Sequence, residues 1–320
     1  MTDSKNYEQL LYKRKNAWSE IGEKETEETS AFCSDYAKFL DDSKTEREFA
    51  SNTVKLLEGE GYISLKSAFE ANQKLHQGDK VYYSGGGKSV IMAVIGKETL
   101  EKGINMLGSH IDSPRLDLKQ VPVFEDTDLA YLKTHYYGGI RKYQWLSIPL
   151  SLHGTIVRGD GVKIDVNIGE DDGDPVFIIT DLLPHLAKDQ NEKKLGEAFP
   201  AESLNILAGS VPMDAGDAKH TVKLRVLNLL NKKYGITEKD LINAELEVVP
   251  AFKSRDIGLD RGLMGAYGHD DRVCSYAGLR AILAAGITKK TSLCYLSDKE
   301  EIGSVGNTGA QSDMLEYFIG

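Results

Sequence analysis

Through residues 5–58 apolar positions recur at helical spacing among many Glu, Lys and Leu residues, and the pattern breaks near Gly22. A 3.6-residue period gathers every third or fourth side chain onto one face, so two or three amphipathic helices are expected here. The pattern then shortens to strand length: residues 90–95, within YYSGGGKSVIMAVIG, and residues 104–108, INMLG, are brief apolar runs. The glycines at 85–87 invite a phosphate-loop reading, but their spacing does not fit GxxxxGK[ST], and a hairpin turn ahead of the strand 90–95 is expected instead. Regular structure after the run 104–108 stops at Pro114, whose ring fixes φ and removes a backbone donor.

From about 116 to 250 the pattern changes to short alternating segments (VPVFED, TIVRGDG, GVKIDVNIG, PVFIITD) separated by Gly, Asp and Pro turns. These predict a β-rich insert with helices near 182–188 and 221–234. The acidic stretch 169–175 is a turn, too short for a calcium-binding EF-hand loop and without its closing glutamate. After Pro250 the chain reverts to helix-length and strand-length runs like those before residue 116. GHDDRVCSYAGLRAILAAG predicts a loop entering a helix over 273–285, with Val273, Ala277, Leu279, Ile282 and Leu283 as its apolar face and Gly286 as its stop. A buried strand is expected at 291–296 and a last helix from near Gln311. The chain is therefore α/β, with residues 1–115 and 252–320 as two parts of one domain and 116–251 interrupting it.

Composition narrows the class. A net charge of −10 and a pI near 5.3 argue against nucleic acid or an anionic membrane as the main partner. No apolar stretch approaches the roughly 18 residues that span a bilayer, and the polar start, MTDSKNYEQLLYKRKNAW, has no signal-peptide apolar region. Three cysteines, Cys33, Cys274 and Cys294, are too few for a disulfide framework. Two sit in apolar contexts and are expected to be buried thiols, so a reducing, cytoplasmic location is the default.

Candidate chemistry lies in three places. The strand 291–296 delivers Glu300 and Glu301 to its C-terminal end, where open α/β sheets keep their active sites. Adjacent carboxylates there serve as metal ligand and general base, or else form a solvated turn. His110 and Asp112 follow the run 104–108. An imidazole there can ligate a metal while the aspartate orients it, or it is a polar loop residue. His269, Asp270 and Asp271 precede the helix 273–285, where an aspartate either caps the helix or bridges two metal ions. Mixed nitrogen and oxygen donors suit zinc, manganese or cobalt better than calcium.

The order and wording of GSHIDSPRLDLK, YYGGI, GHDDRVCS and SDKEEIGSVGNTGAQS resemble the aspartyl aminopeptidase/aminopeptidase I family of di-zinc metallopeptidases, and the resemblance covers most of the chain. It implies a metallopeptidase domain with a mostly β sheet flanked by helices, interrupted by a β-rich dimerisation domain. It implies two divalent metal ions, zinc with manganese or cobalt as alternatives, and release of acidic or neutral N-terminal residues from peptide substrates. It also implies self-association into a dodecamer. By position, His110 resembles the first metal ligand, Asp112 the residue that orients it, Asp271 the bridging carboxylate, Glu300 the general base and Glu301 a ligand to one metal.

Two features depart from the family pattern. A complete family site also has an aspartate and a histidine beyond the glutamate pair, whereas nineteen residues follow Glu301 and none is histidine. A fragment of a longer protein, or a shortened one, is therefore expected. Where acidic-specific members carry a histidine segment after YYGGI, reaching a neighbouring subunit's site, this chain has Arg141-Lys142-Tyr143. Lys142 is accordingly the candidate contact to substrate, in trans. A catalytically incomplete assembly subunit and a related di-metal amidohydrolase or deacetylase are the alternative functions.

Overall fold

The computed structural model describes Tyr7 and residues 10–320. Most of the first nine residues, which include the start of the expected N-terminal helical pattern and of the segment lacking a signal-peptide region, lie outside the described residues. Helix α1 (Glu23–Asp41) begins directly after Gly22, whose N–H donates to Glu25 Oε2 at 2.9 Å. Helix α2 (Glu46–Gly59) begins at a reciprocal cap, in which the Thr45 hydroxyl accepts from the Glu48 N–H and the Glu48 carboxylate accepts from the Thr45 N–H. Strand β1 (Ile63–Ser64) and helix α3 (Leu65–Glu70) lead to the hairpin of β2 (Lys80–Gly85) and β3 (Ser89–Val94). Gly86 and Gly87 turn it with φ of +59° and +71°, a region that a Cβ disfavours. Strand β4 (Ile104–His110) follows.

The middle of the chain builds a six-stranded antiparallel sheet from β5 (Arg115–Asp126), β6 (Leu129–Tyr137), β7 (Leu150–Val157), β8 (Lys163–Ile168), β9 (Ile206–Gly209) and β10 (Glu245–Pro250). Their spatial order is β8-β7-β10-β5-β6-β9. Single helical turns α4 (Lys188–Asn191) and α5 (Leu195–Ala198) replace the helix expected near 182–188, while α6 (Thr221–Tyr234) stands where expected. Helix α6 packs Val222 and Val226 onto the core this sheet makes with Leu116, Leu152 and Val248.

A two-stranded ribbon, β11 (Arg255–Ile257) and β12 (Leu263–Gly265), precedes α7 (His269–Ala284), β13 (Thr291–Ser297) and α8 (Met314–Ile319). Strand β13 lies between β3, antiparallel to it, and β4, parallel to it. The five-stranded sheet β1-β2-β3-β13-β4 thus combines strands from before and after the six-stranded one. Alternation sorts its side chains. Val90, Met92, Cys294 and Leu296 meet Phe49 of α2 and Leu279 and Ile282 of α7, while Ile91, Ala93, Leu293 and Tyr295 face Met314 on the other side.

Two expectations about burial need correction. The buried face of α7 is Arg272, Ser275, Tyr276, Gly278, Leu279 and Ile282, with Val273 and Ala277 exposed, because a guanidinium with three carbonyl acceptors takes the buried position in place of an apolar residue. Of the cysteines only Cys294 is buried; Cys33 and Cys274 are exposed. Strand β4 stands at the expected run 104–108, and Met106 and Leu107 on it are about half exposed because it is the edge of its sheet. Among the described residues no helix is long and apolar enough to cross a membrane.

The α1–α2 junction is tied to the six-stranded sheet through buried charge. Lys44 Nζ donates to the carbonyls of Pro250 (2.8 Å) and Phe252 (3.1 Å) and pairs with Glu170 at 2.8 Å. His153 spans Glu48 (2.8 Å) and Glu170 (3.1 Å). Burial alone would raise the Glu170 pKa, but hydrogen bonds from His153, Lys253 and Lys44 outweigh it and bring the carboxyl down to about 2. A carboxylate depressed in the folded state stabilises above its unfolded pKa, and that share is lost as pH falls through the folded value. The stability advantage of the chain over its Glu170→Gln variant is therefore expected to be full above about pH 4.5 and to shrink as pH falls toward about 2. Urea unfolding of both proteins at pH 7, 5 and 3 checks this; a constant difference would refute it.

Candidate metal centre

The register of two parallel strands places the site. Ser297 at the end of β13 pairs with His110 at the end of β4, so the segments leaving both strands emerge side by side. Helix α7 starts against the same edge, with Ser275 Oγ donating to the His110 carbonyl at 2.7 Å. One ligand atom each from His110, Asp270 and Glu301 lie within 4.8 Å of one another. His110 Nε2 is 3.3 Å from Asp270 Oδ1 and 3.7 Å from Glu300 Oε2.

Asp112 organises this group from beneath, fully buried. The His110 Nδ1 side faces the Asp112 carbonyl at 3.0 Å and its Oδ1 at 3.3 Å, which leaves Nε2 turned to Asp270 and Glu300. The N–H groups of Glu300 and Glu301 donate to the two Asp112 oxygens, each at 3.2 Å. Glu300 and Glu301 stand in a single 3-10 turn, Glu300–Ile302, opened by Lys299 in the left-handed region (φ +67°).

The electrostatics call for a cation. Burial lowers the His110 pKa, but the Asp112 hydrogen bond and charge outweigh it and hold the imidazole at about 9. Burial pushes the Glu301 carboxyl up, and the Asp270 charge pushes it further. Asp112 goes the other way, because hydrogen bonds from His110 and Tyr137 overcome its burial. Three carboxylates converge on one imidazole, and a divalent ion neutralises such a set with donors of the type zinc takes. The residues present fit the metal that the sequence implies.

A model of the aminopeptidase I zinc metalloprotease (M18) family matches residues 39–320. The chain belongs to this family. Within M18, a Clostridium acetobutylicum protein named "Probable M18 family aminopeptidase 1" is 49% identical over 310 residues, 97% of this chain and 67% of that protein. The crystal structure of an M18 aminopeptidase from Thermotoga maritima superposes with a TM-score of 0.90 at 43% identity, over 96% of this chain and 66% of that one. That of aminopeptidase I from C. acetobutylicum gives 0.87 at 45%, over 96% and 68%. The chain thus spans about two thirds of the length of these M18 relatives.

Of the residues singled out in the sequence, the structure brings His110, Asp112, Glu300 and Glu301 together. Asp271 is replaced in the group by its neighbour Asp270. The first two α7 aspartates have non-helical backbones (φ −87°, ψ 110° and φ −115°, ψ 28°), so their side chains part. The Asp271 carboxylate turns to Cys274, whose thiol its hydrogen bond pushes up. His269 is engaged by the Tyr36 hydroxyl (3.1 Å) and the Met264 carbonyl (3.3 Å). Lys142 donates to the Gly196 carbonyl at 3.2 Å, a contact within the segment between β5 and β10.

Two neighbours of the site escape sequence reasoning. Tyr137 reaches Asp112 with its hydroxyl, and Gly138 (φ +70°) packs so closely that a Cβ there would lie 3.0 Å from Glu301 Cβ. Their one signal is the YYGGI motif, whose tyrosines and glycines are not metal-ligand types and so carry no site chemistry on their face.

Proposed function

We propose that this protein is a metal-dependent aminopeptidase that releases acidic or neutral N-terminal residues from peptides. The observation that carries the reading is the convergence of His110, Asp270 and Glu301 within 4.8 Å, with Glu300 beside the same imidazole. His110 Nε2, the Asp270 carboxylate and the Glu301 carboxylate would hold the metal. When bound, a divalent ion supplies Lewis acidity toward the scissile carbonyl and the attacking water. Glu300, more than half exposed, is placed to take a proton from that water on its carboxylate and pass it to the leaving amine. Asp112 keeps the imidazole turned toward the metal.

A second ion belongs to the same proposal. Asp270 supports it, since its side chain is 84% exposed while one oxygen faces His110. Zinc is the preferred metal, with manganese and cobalt as alternatives. The division into 1–115 and 252–320 around 116–251 is supported by the return of β13 to the first sheet. In this reading the six-stranded segment mediates self-association, a dodecamer by family resemblance, and Lys142 contacts substrate in a neighbouring subunit. Three free cysteines support a cytoplasmic location.

The test counts metal in the purified chain after dialysis against zinc, cobalt or manganese, then follows cleavage of free-amine peptides and their N-acylated counterparts. Retained metal with release of free N-terminal amino acids is the expected result. Cleavage of the acylated set alone would overturn it in favour of an amidohydrolase, and a chain that retains no metal would favour an assembly subunit.

A further inference from the structure

Tyr137 ends β6, in the six-stranded sheet, yet its hydroxyl donates to Asp112 Oδ2 at 2.8 Å. The other groups facing that carboxylate are the N–H groups of Glu300 and Glu301 and the Nδ1 side of His110, all at strand ends of the five-stranded sheet. One buried carboxylate therefore sets both the pose of the imidazole and the backbone position of the glutamate pair, and Tyr137 is the group from the second sheet that holds it.

The tyrosine is itself fixed. The Arg115 guanidinium lies 3.8 Å over its ring. Arg115 in turn is buried and paired with Asp117 (2.8 Å), Glu247 (3.1 Å) and Glu46 (3.3 Å). These partners reach from β5, β10 and α2, so the guanidinium against the ring is itself held by a buried ion network, and the ring would lose this contact if it moved. The next residue, Gly138, packs against Glu301.

We propose that Tyr137 is a positioning residue: by holding the Asp112 carboxylate it orients His110 and the Glu300–Glu301 turn, so that the six-stranded sheet sets the geometry of the metal centre. The inference rests on the metal-centre reading above. Asp112, one hydrogen bond removed from His110, is a partner of the kind whose loss changes metal affinity by about 10–100-fold, and Tyr137, one bond further out, acts at the lower end of that range.

Tyr137→Phe removes only the hydroxyl and keeps the ring under Arg115. Cobalt titration, read by the visible absorption of the bound ion, is expected to show affinity up to about tenfold weaker than in the unaltered chain, and more than twofold. Amide exchange at Glu300 and Glu301 is expected to quicken in the metal-free variant. Tyr62→Phe removes another buried hydroxyl, one that donates to the Ile282 carbonyl, and is expected to leave both readouts unchanged. Cobalt affinity of Tyr137→Phe within twofold of the unaltered chain overturns the proposal, as does an equal loss in Tyr62→Phe. If the unaltered chain takes up no cobalt, the metal-centre reading fails. Amide exchange then decides for Tyr137 alone: an unchanged rate in the variant overturns its positioning role, and a faster one supports it.

Discussion

Glu300→Gln is expected to lower peptide turnover by about 10²–10⁴-fold while metal content stays at the unaltered level. The amide matches the carboxylate in size but cannot accept the proton of the attacking water. Glu300 lies 3.7 Å from His110 Nε2, on the margin of the group formed by His110, Asp270 and Glu301, so its loss leaves those three donors in place. Turnover and bound metal, measured on the same preparation, check both halves. Full turnover would remove Glu300 as the base, and lost metal would move it into the ligand set. The neighbouring aspartates provide the contrast: Asp270→Asn is expected to lose metal and Asp271→Asn to keep it, because only Asp270 offers an oxygen to the group.

The largest loss of stability is expected from Arg272→Ala. Arg272 is fully buried, and it donates to the carbonyls of Ile111 (2.9 Å), Ser43 (3.0 Å) and Lys44 (3.0 Å). Truncation takes the donor from three buried carbonyls, at about 1–3 kcal/mol for each group left unsatisfied, and opens a cavity where the side chain was. Losses within one network do not add in full, so the three unsatisfied carbonyls together are expected to cost about 3–5 kcal/mol in urea unfolding. Ile111 sits between His110 and Asp112, so cobalt affinity is expected to fall with stability. A variant within about 0.5 kcal/mol of the unaltered chain, inside the range of ordinary surface changes, would show that these carbonyls find other donors.

Much of the fold is legible locally. Helix α6 follows from the spacing of Val222, Val226 and their neighbours, and the β2–β3 hairpin from glycines that adopt its positive-φ turn without strain. The strand at 291–296 is a short apolar run buried on both faces, as its composition requires. In the site, His110, Asp112, Glu300 and Glu301 are legible because each lies at or just beyond the end of such a strand. Arg272 is not, since a charged residue among apolar ones signals exposure unless its partners are known, and those partners lie more than 150 residues away along the chain.

By itself the sequence determined the types and order of the longer elements, the acidic character of the chain and the residues able to ligate a metal, because these depend on local propensity and side-chain chemistry. The tertiary structure alone decided that β13 lies between β3 and β4, and that Asp270 rather than Asp271 faces His110. It also decided that Tyr137 reaches across from another sheet to Asp112. Strand pairing, the backbone angles of one kinked turn and a hydrogen bond between distant segments are set by how the whole chain packs, and no local period encodes them.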